Sequence, residues 1–166
     1  MLKSLAQYLH SKLQKHIENR PPDFTVGEDY LRRWWLIPRN KLFNIYYHNF
    51  KVSDDSRAHH DHEYISLSFI LDGEYVEHLG DKQYTRSAGD IKARLPKTLH
   101  RIEIPEDVHD VWTLFITGPR VRKWGFQVGP IVKNWLGFKT KSGWIDFEEY
   151  HRIYGEQLNG AKEKES

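Results

Sequence analysis

From Tyr30 onward the chain is a succession of short runs rich in Tyr, Phe, Trp, Ile and Val, each broken by Pro, Gly, Asn or Asp. β-Branched and aromatic side chains suit a pleated, half-buried surface, and the breakers supply turns. Strands are expected over residues 31–37, 42–50, 63–71, 74–79, 83–86, 90–94, 99–104, 111–117 and 123–128. Asp72-Gly73, between two of these runs, is a hairpin signal, because glycine accepts the positive φ of a tight turn. Strands at this spacing with no helix between them predict an all-β sandwich or barrel, not a parallel α/β sheet.

Helical patterning is confined to the ends. Leu2, Leu5, Leu9, Leu13 and Ile17 recur at spacings of three and four, which puts one apolar stripe on an N-terminal amphipathic helix within residues 1–20, closed by Pro21 and Pro22. Such a stripe packs on the chain's own barrel or on a second copy, the latter giving a homodimer. A short C-terminal helix is expected within residues 145–157, ahead of a polar tail. A chain of 166 residues holds one sizeable core, so residues 1–166 read as a single domain with its β-barrel over 30–128.

Lys and Arg number 25 against 23 acidic residues, and this near balance gives no global nucleic-acid signature. Arg32-Arg33 and the group Arg120, Arg122 and Lys123 would make a nucleic-acid patch only if the fold gathered them. The absence of cysteine excludes disulfides, thiolate zinc sites and cysteine nucleophiles. No apolar run approaches a membrane span and the N-terminus lacks a secretory stretch, so no membrane association and cytoplasmic residence are the default expectations.

The chemistry concentrates in the run Arg57-Ala58-His59-His60-Asp61-His62. Two histidines one residue apart on an extended segment point to the same side, because strand side chains alternate. His60 and His62 therefore form a candidate metal clamp, completed by a side chain from a neighbouring strand, with His100 as the candidate. Their face continues as Tyr64, Ser66, Ser68 and Ile70, a mixed row suited to a pocket wall, whereas Ile65, Leu67, Phe69 and Leu71 must be packed. Another polar row, Asn44, Tyr46 and His48, lies on 42–50, although a lone His48 or His78 is more often a surface or hydrogen-bonded core histidine. Asp61 either orients an imidazole or sits solvated on the opposite face, and alternation favours the second. Arg57 and Arg94, near the ends of this region, are candidates for clamping a substrate carboxylate or phosphate.

These residues resemble the cupin superfamily. Its first motif has two histidines one residue apart, an acid four positions after the second, and a glycine seven beyond the acid; here His60, His62 and Gly73 hold that register and Ser66 takes the acid's place. Its second motif sets a histidine eleven positions after a glycine, as do Gly89 and His100, with Pro96 displaced by one. Residues 42–117 carry the likeness, and residues 30–40 and 113–126 are also similar to uncharacterised cupin-like proteins of phages and bacteria. The resemblance implies a double-stranded β-helix, or jelly roll.

It also implies a metal centre that has lost its carboxylate. Three neutral histidines with open positions resemble the set of thiol dioxygenases, where iron(II) binds substrate and oxygen together; they equally resemble a three-histidine zinc site that activates water. Manganese and nickel are further candidates, and Glu74 or Glu77 could replace the acid, though by alternation not both. The leading expectation is a dioxygenase-like metal-dependent oxidoreductase for a small polar or anionic molecule, with Ser66, Arg57 and Arg94 near substrate and Tyr46 or Tyr64 orienting it. A non-catalytic binding or assembly module is the alternative, kept open by the missing acid and by Trp34, Trp35, Trp124, Trp135 and Trp144, read as exposed. A metal-dependent isomerase or hydrolase, with Tyr46 or His48 as general base, is the third.

Overall fold

The computed structural model describes residues 1–26, 30–54, 58–128, 132–133, 139–140 and 143–160; Arg57 and Trp135 lie outside them. The chain opens with helix α1 (Leu2–Ile17) and continues as β1 (Phe24–Val26), β2 (Leu31–Trp35), β3 (Asn44–Phe50), β4 (His59–His60), β5 (Ser66–Asp72), β6 (Glu74–Leu79) and β7 (Lys82–Ser87). Then come β8 (Ile91–Arg94), β9 (Arg101–Glu103), β10 (Val111–Thr117), β11 (Gly125–Gln127), β12 (Val132–Lys133), β13 (Lys139–Thr140), β14 (Trp144–Asp146) and helix α2 (Phe147–Gly160).

Six strands in the order β1-β2-β3-β10-β5-β8 form the main sheet. Two three-stranded sheets, β7-β6-β9 and β14-β11-β4, form the opposing layer. Reciprocal backbone hydrogen bonds between His60 and His100, at 2.8 and 2.9 Å, bridge these two small sheets. All named strand pairings are antiparallel. The all-β jelly roll with a helix at each end is therefore the fold, and no helix among the described residues is long and apolar enough to cross a membrane.

The strand limits at 74–79 and 111–117 match the expected ones. β5 starts later than its apolar pattern implied: Glu63 and Tyr64 form a bend between the histidines and the strand. β1, β4 and β14 are too short to give a readable alternation. The hairpin at Gly73 has φ 76°, and a Cβ there would meet the Asp110 carbonyl oxygen at 2.5 Å, so both the turn and the close approach require glycine. Gly89, at φ 104°, lies against the backbone of Lys3 and lets α1 settle on the sheet.

Helix α1 crosses β5 and buries Ala6 and Ile17 among Trp34, Tyr47, Phe69 and Leu71, with Leu9 and Leu13 packed beside them. The packed line is thus Ala6, Leu9, Leu13 and Ile17, while Leu2 and Leu5 are about half exposed, at 48% and 46%. Trp34 is buried in this layer at 5% exposure, not exposed as expected; Trp35, Trp124 and Trp144 are half-buried. A second cluster, Ile70, Tyr75, Ile102 and Val111, lies between the sheets.

Candidate metal centre

The three expected histidines come together. Each offers a ring nitrogen, and these nitrogens lie within 4.8 Å of one another. Nε2 of His62 faces Nε2 of His100 at 2.8 Å, and the His60 ring centroid is 4.5 Å from that of His100. Only His60 belongs to a strand; His62 stands just beyond β4, with its backbone N–H donating to the Pro96 carbonyl. The backbone bridge between His60 and His100 sets two of the ligands side by side, which is how residues forty apart in sequence become neighbours.

Two carboxylates stand behind the histidines. Asp54 Oδ2 is 3.4 Å from Nδ1 of His60, and Glu77 Oε1 is 3.3 Å from Nδ1 of His100, the latter off-line for a well-formed hydrogen bond. A carboxylate near Nδ1 favours a proton there and leaves Nε2 as the electron-pair donor, the usual support for a metal-bound imidazole. Burial, then the charges of His100 and His60, holds His62 well below the ordinary histidine range. Burial and the neighbouring His60 bring His100 to about 4, against the opposing pull of Glu77. Three ring nitrogens converging on one point, two of them on imidazoles held below the ordinary range, fit a divalent cation.

Glu77 is fully buried and Glu74 exposed, as alternation requires. Glu77 is not one of the converging donors, however. Its carboxylate accepts from Nε of Arg94 at 2.7 Å and Nε of Arg86 at 3.0 Å. Burial alone would raise its pKa, but the close approach of His100 and the hydrogen bond and charge of Arg94 outweigh this and keep it ionised far below the usual range. Arg94, expected to clamp substrate, is buried and also donates to Ser68 Oγ at 3.0 Å and to the Tyr75 hydroxyl at 3.1 Å. Its donors are engaged inside the protein, so the clamp reading of Arg94 is corrected: it is a strut for Glu77.

Asp61 is also corrected. It does alternate away from the ligands, yet it is fully buried: Oδ1 accepts from the Gly125 N–H at 2.9 Å, and Oδ2 accepts from Trp144 Nε1 at 3.1 Å and pairs with Arg122 at 2.7 Å. This clasp pins the ligand-bearing turn to β11 and β14. It also engages Arg122, while Arg33 donates to His48. His78 is half-buried, with Nε2 2.9 Å from Glu103.

The remaining candidates line the interior. Tyr64 stacks on His62 with centroids 6.0 Å apart. Tyr46 stacks on His48 at 5.6 Å, and both rings lie against Phe115. His48 is buried, accepts from Arg33 Nε at 2.8 Å, and is held well below the ordinary range by burial and then by Arg33. Ser66 is buried with an unpartnered hydroxyl among the described residues, and borders an apolar groove of about 340 Å³ with Phe43, Leu67, Ala93 and Thr117. Sequence reasoning missed Asp54 and Arg33. Arg33 carried a faint signal, a charge between Leu31 and Trp35 on one strand face; Asp54 carried none.

No family model matches the sequence, and no curated protein does. Among solved structures the chain is similar to iron(II) HppE, at 15% identity and a TM-score of 0.51, over 60% of this chain and 56% of that one. It is also similar to the DMSP lyase DddQ of Ruegeria pomeroyi (17% identity, TM-score 0.46, 56% and 50%) and to a cupin superfamily protein of Desulfitobacterium hafniense (16%, 0.44, 58% and 84%). The matched region is thus only about half the length of HppE and of DddQ. At 15% identity the likeness to HppE speaks for the fold alone. What this chain adds is its own three-histidine group within that fold.

Proposed function

We propose that the protein is a metal-dependent oxidoreductase of dioxygenase-like type acting on a small polar molecule, with His60, His62 and His100 as ligands. The observation that carries this reading is the convergence of three imidazoles, two of them backed by Asp54 and Glu77. Iron(II) is the favoured ion, over zinc, manganese or nickel. When bound, it would supply a Lewis acid and redox centre with positions left open by the absence of a carboxylate ligand. Asp54 and Glu77 hold the proton on Nδ1 of their histidines, and Arg94 and Arg86 keep Glu77 ionised and fixed. Tyr64, stacked on His62, is placed to orient the substrate through its hydroxyl, which burial keeps protonated and so able to donate. Tyr46 and His48 lie farther along the wall and shape the pocket.

The test is metal analysis of untagged protein purified without chelator, followed by oxygen uptake on thiols and small acids. One equivalent of metal, lost in His62→Ala and His100→Ala with the fold retained, is the expected result. Bound metal without turnover on thiols, small acids or sugars, together with a ligand carried through purification, would replace the enzyme reading with that of a binding module.

A further inference from the structure

The buried carboxylates of the interior have arginine partners. Arg94 and Arg86 share Glu77, and Arg122 pairs with Asp61. Arg33 is different. Among the described residues no carboxylate pairs with it, although it is half-buried inside the barrel. Its Nε donates to His48 Nε2 at 2.8 Å and its guanidinium lies over the Tyr46 ring, 4.7 Å from the centroid. Those two contacts fix the plane of the group, and among the described residues its two terminal nitrogens have no hydrogen-bond acceptor. Tyr64, Tyr46 and Tyr30 surround it, and Tyr64 is also the ring stacked on His62. The wall beside it holds two buried polar atoms with no partner among the described residues, His48 Nδ1 and Thr113 Oγ1 across the strand pair from it. Buried polar atoms are nearly always satisfied, so this unsatisfied pair marks a place where something polar can enter. A half-buried cation with no counter-charge among the described residues, its plane fixed by two contacts, is suited to receiving two oxygens of one anion.

We propose that Arg33 anchors an oxyanionic group of the ligand, a carboxylate or a phosphate, with Tyr64 between that anchor and the histidines. This deepens the metal-site reading by naming the substrate class: a compact molecule with an anion at one end and its reacting group at the other. It assigns to Arg33 the role that the sequence had suggested for Arg57 and Arg94.

The test is titration of zinc-loaded and metal-free protein with acetate, inorganic phosphate and acetamide, read by NMR shifts of the histidine and tyrosine rings, with metal content measured on each sample. Acetate or phosphate should bind wild type and weaken at least tenfold in Arg33→Gln, whereas acetamide should bind neither. The stronger of acetate and phosphate identifies the oxyanion. Arg33→Lys, which keeps the charge and loses the fork, should weaken the better anion at least threefold, and it decides the matter if Arg33→Gln does not fold. Equal anion affinity in wild type and the folded variant, or acetamide binding as well as acetate, overturns the proposal. Anion binding that depends on Arg33 in protein unable to hold metal would leave this anchor standing and remove the metal reading instead.

Discussion

Tyr47 and His48 are consecutive residues of one strand and occupy opposite chemistries. Tyr47 points to the helix side, where it is fully buried against Trp112 and Trp34, with its hydroxyl accepting from Gln14 at 2.9 Å. His48 points to the barrel interior, among Arg33, Tyr46 and Phe115. The helix side is mostly apolar and packed, with Asn49 as a buried polar exception; the interior holds His48, Ser66, Ser68, Glu77, Arg94, His100 and Thr113, several with unpartnered atoms among the described residues. One sheet thus separates a mostly apolar face from a polar one. Burial on the first contributes on the order of 1.5–3 kcal/mol per large apolar side chain, while burial on the second is unfavourable unless each polar group is paired.

The difference can be broken most severely at Glu77. Replacing Glu77 with Gln leaves Arg94 buried beside a neutral partner and should cost about 3–5 kcal/mol in chemical denaturation. Metal affinity should fall with it, because His100 loses its carboxylate; a stable variant with unchanged metal binding would refute the strut role. On the helix side, Ile17→Ala should cost about 2–4 kcal/mol by opening a cavity under α1. There the bound metal per folded molecule should stay the same, and any loss of metal would mean that the two faces are energetically coupled.

A smaller effect sharpens the comparison through pH. Burial, then Arg33, depresses the His48 pKa below its unfolded value of about 6.5, so on acidification the unfolded chain binds a proton that the native state excludes. Stability of the metal-free protein should therefore be fully present above that pH and decline as pH falls below it, with His62 and His100 acting in the same sense. His48→Gln, which keeps an acceptor for Arg33, should give a shallower decline between about pH 6.5 and 5. An identical slope would show that His48 is protonated in the native state. The smallest effect is expected at the exposed end of α1, where Leu5→Ser should change stability by less than about 0.5 kcal/mol. A loss of several times that would mean that Leu2 and Leu5 are covered in solution, by a second copy.

By itself the sequence determined the all-β class, the flanking helices, the hairpin at Gly73 and the three histidines, because each is written in local terms: alternation, periodicity, a turn residue, a short motif. The split between Tyr47 and His48 follows from the same period of two. The tertiary structure decided which polar groups meet. Glu77 was legible as an inward-facing acid on β6, but that it stands behind His100 and is held by Arg94 depends on β6, β8 and the His60–His100 bridge arriving from separate parts of the chain. Asp61 alternates away from its histidine neighbours as alternation requires, yet whether that direction leads to water or to Arg122 and Trp144 is set by β11 and β14, sixty to eighty residues later. Arg33 reads in sequence as half of an Arg-Arg pair, and the register sets it across from His48, to which it donates. Alternation fixes the face a residue takes, and the desolvation and charge pairing that give it a role come from strands that the sequence does not place beside it.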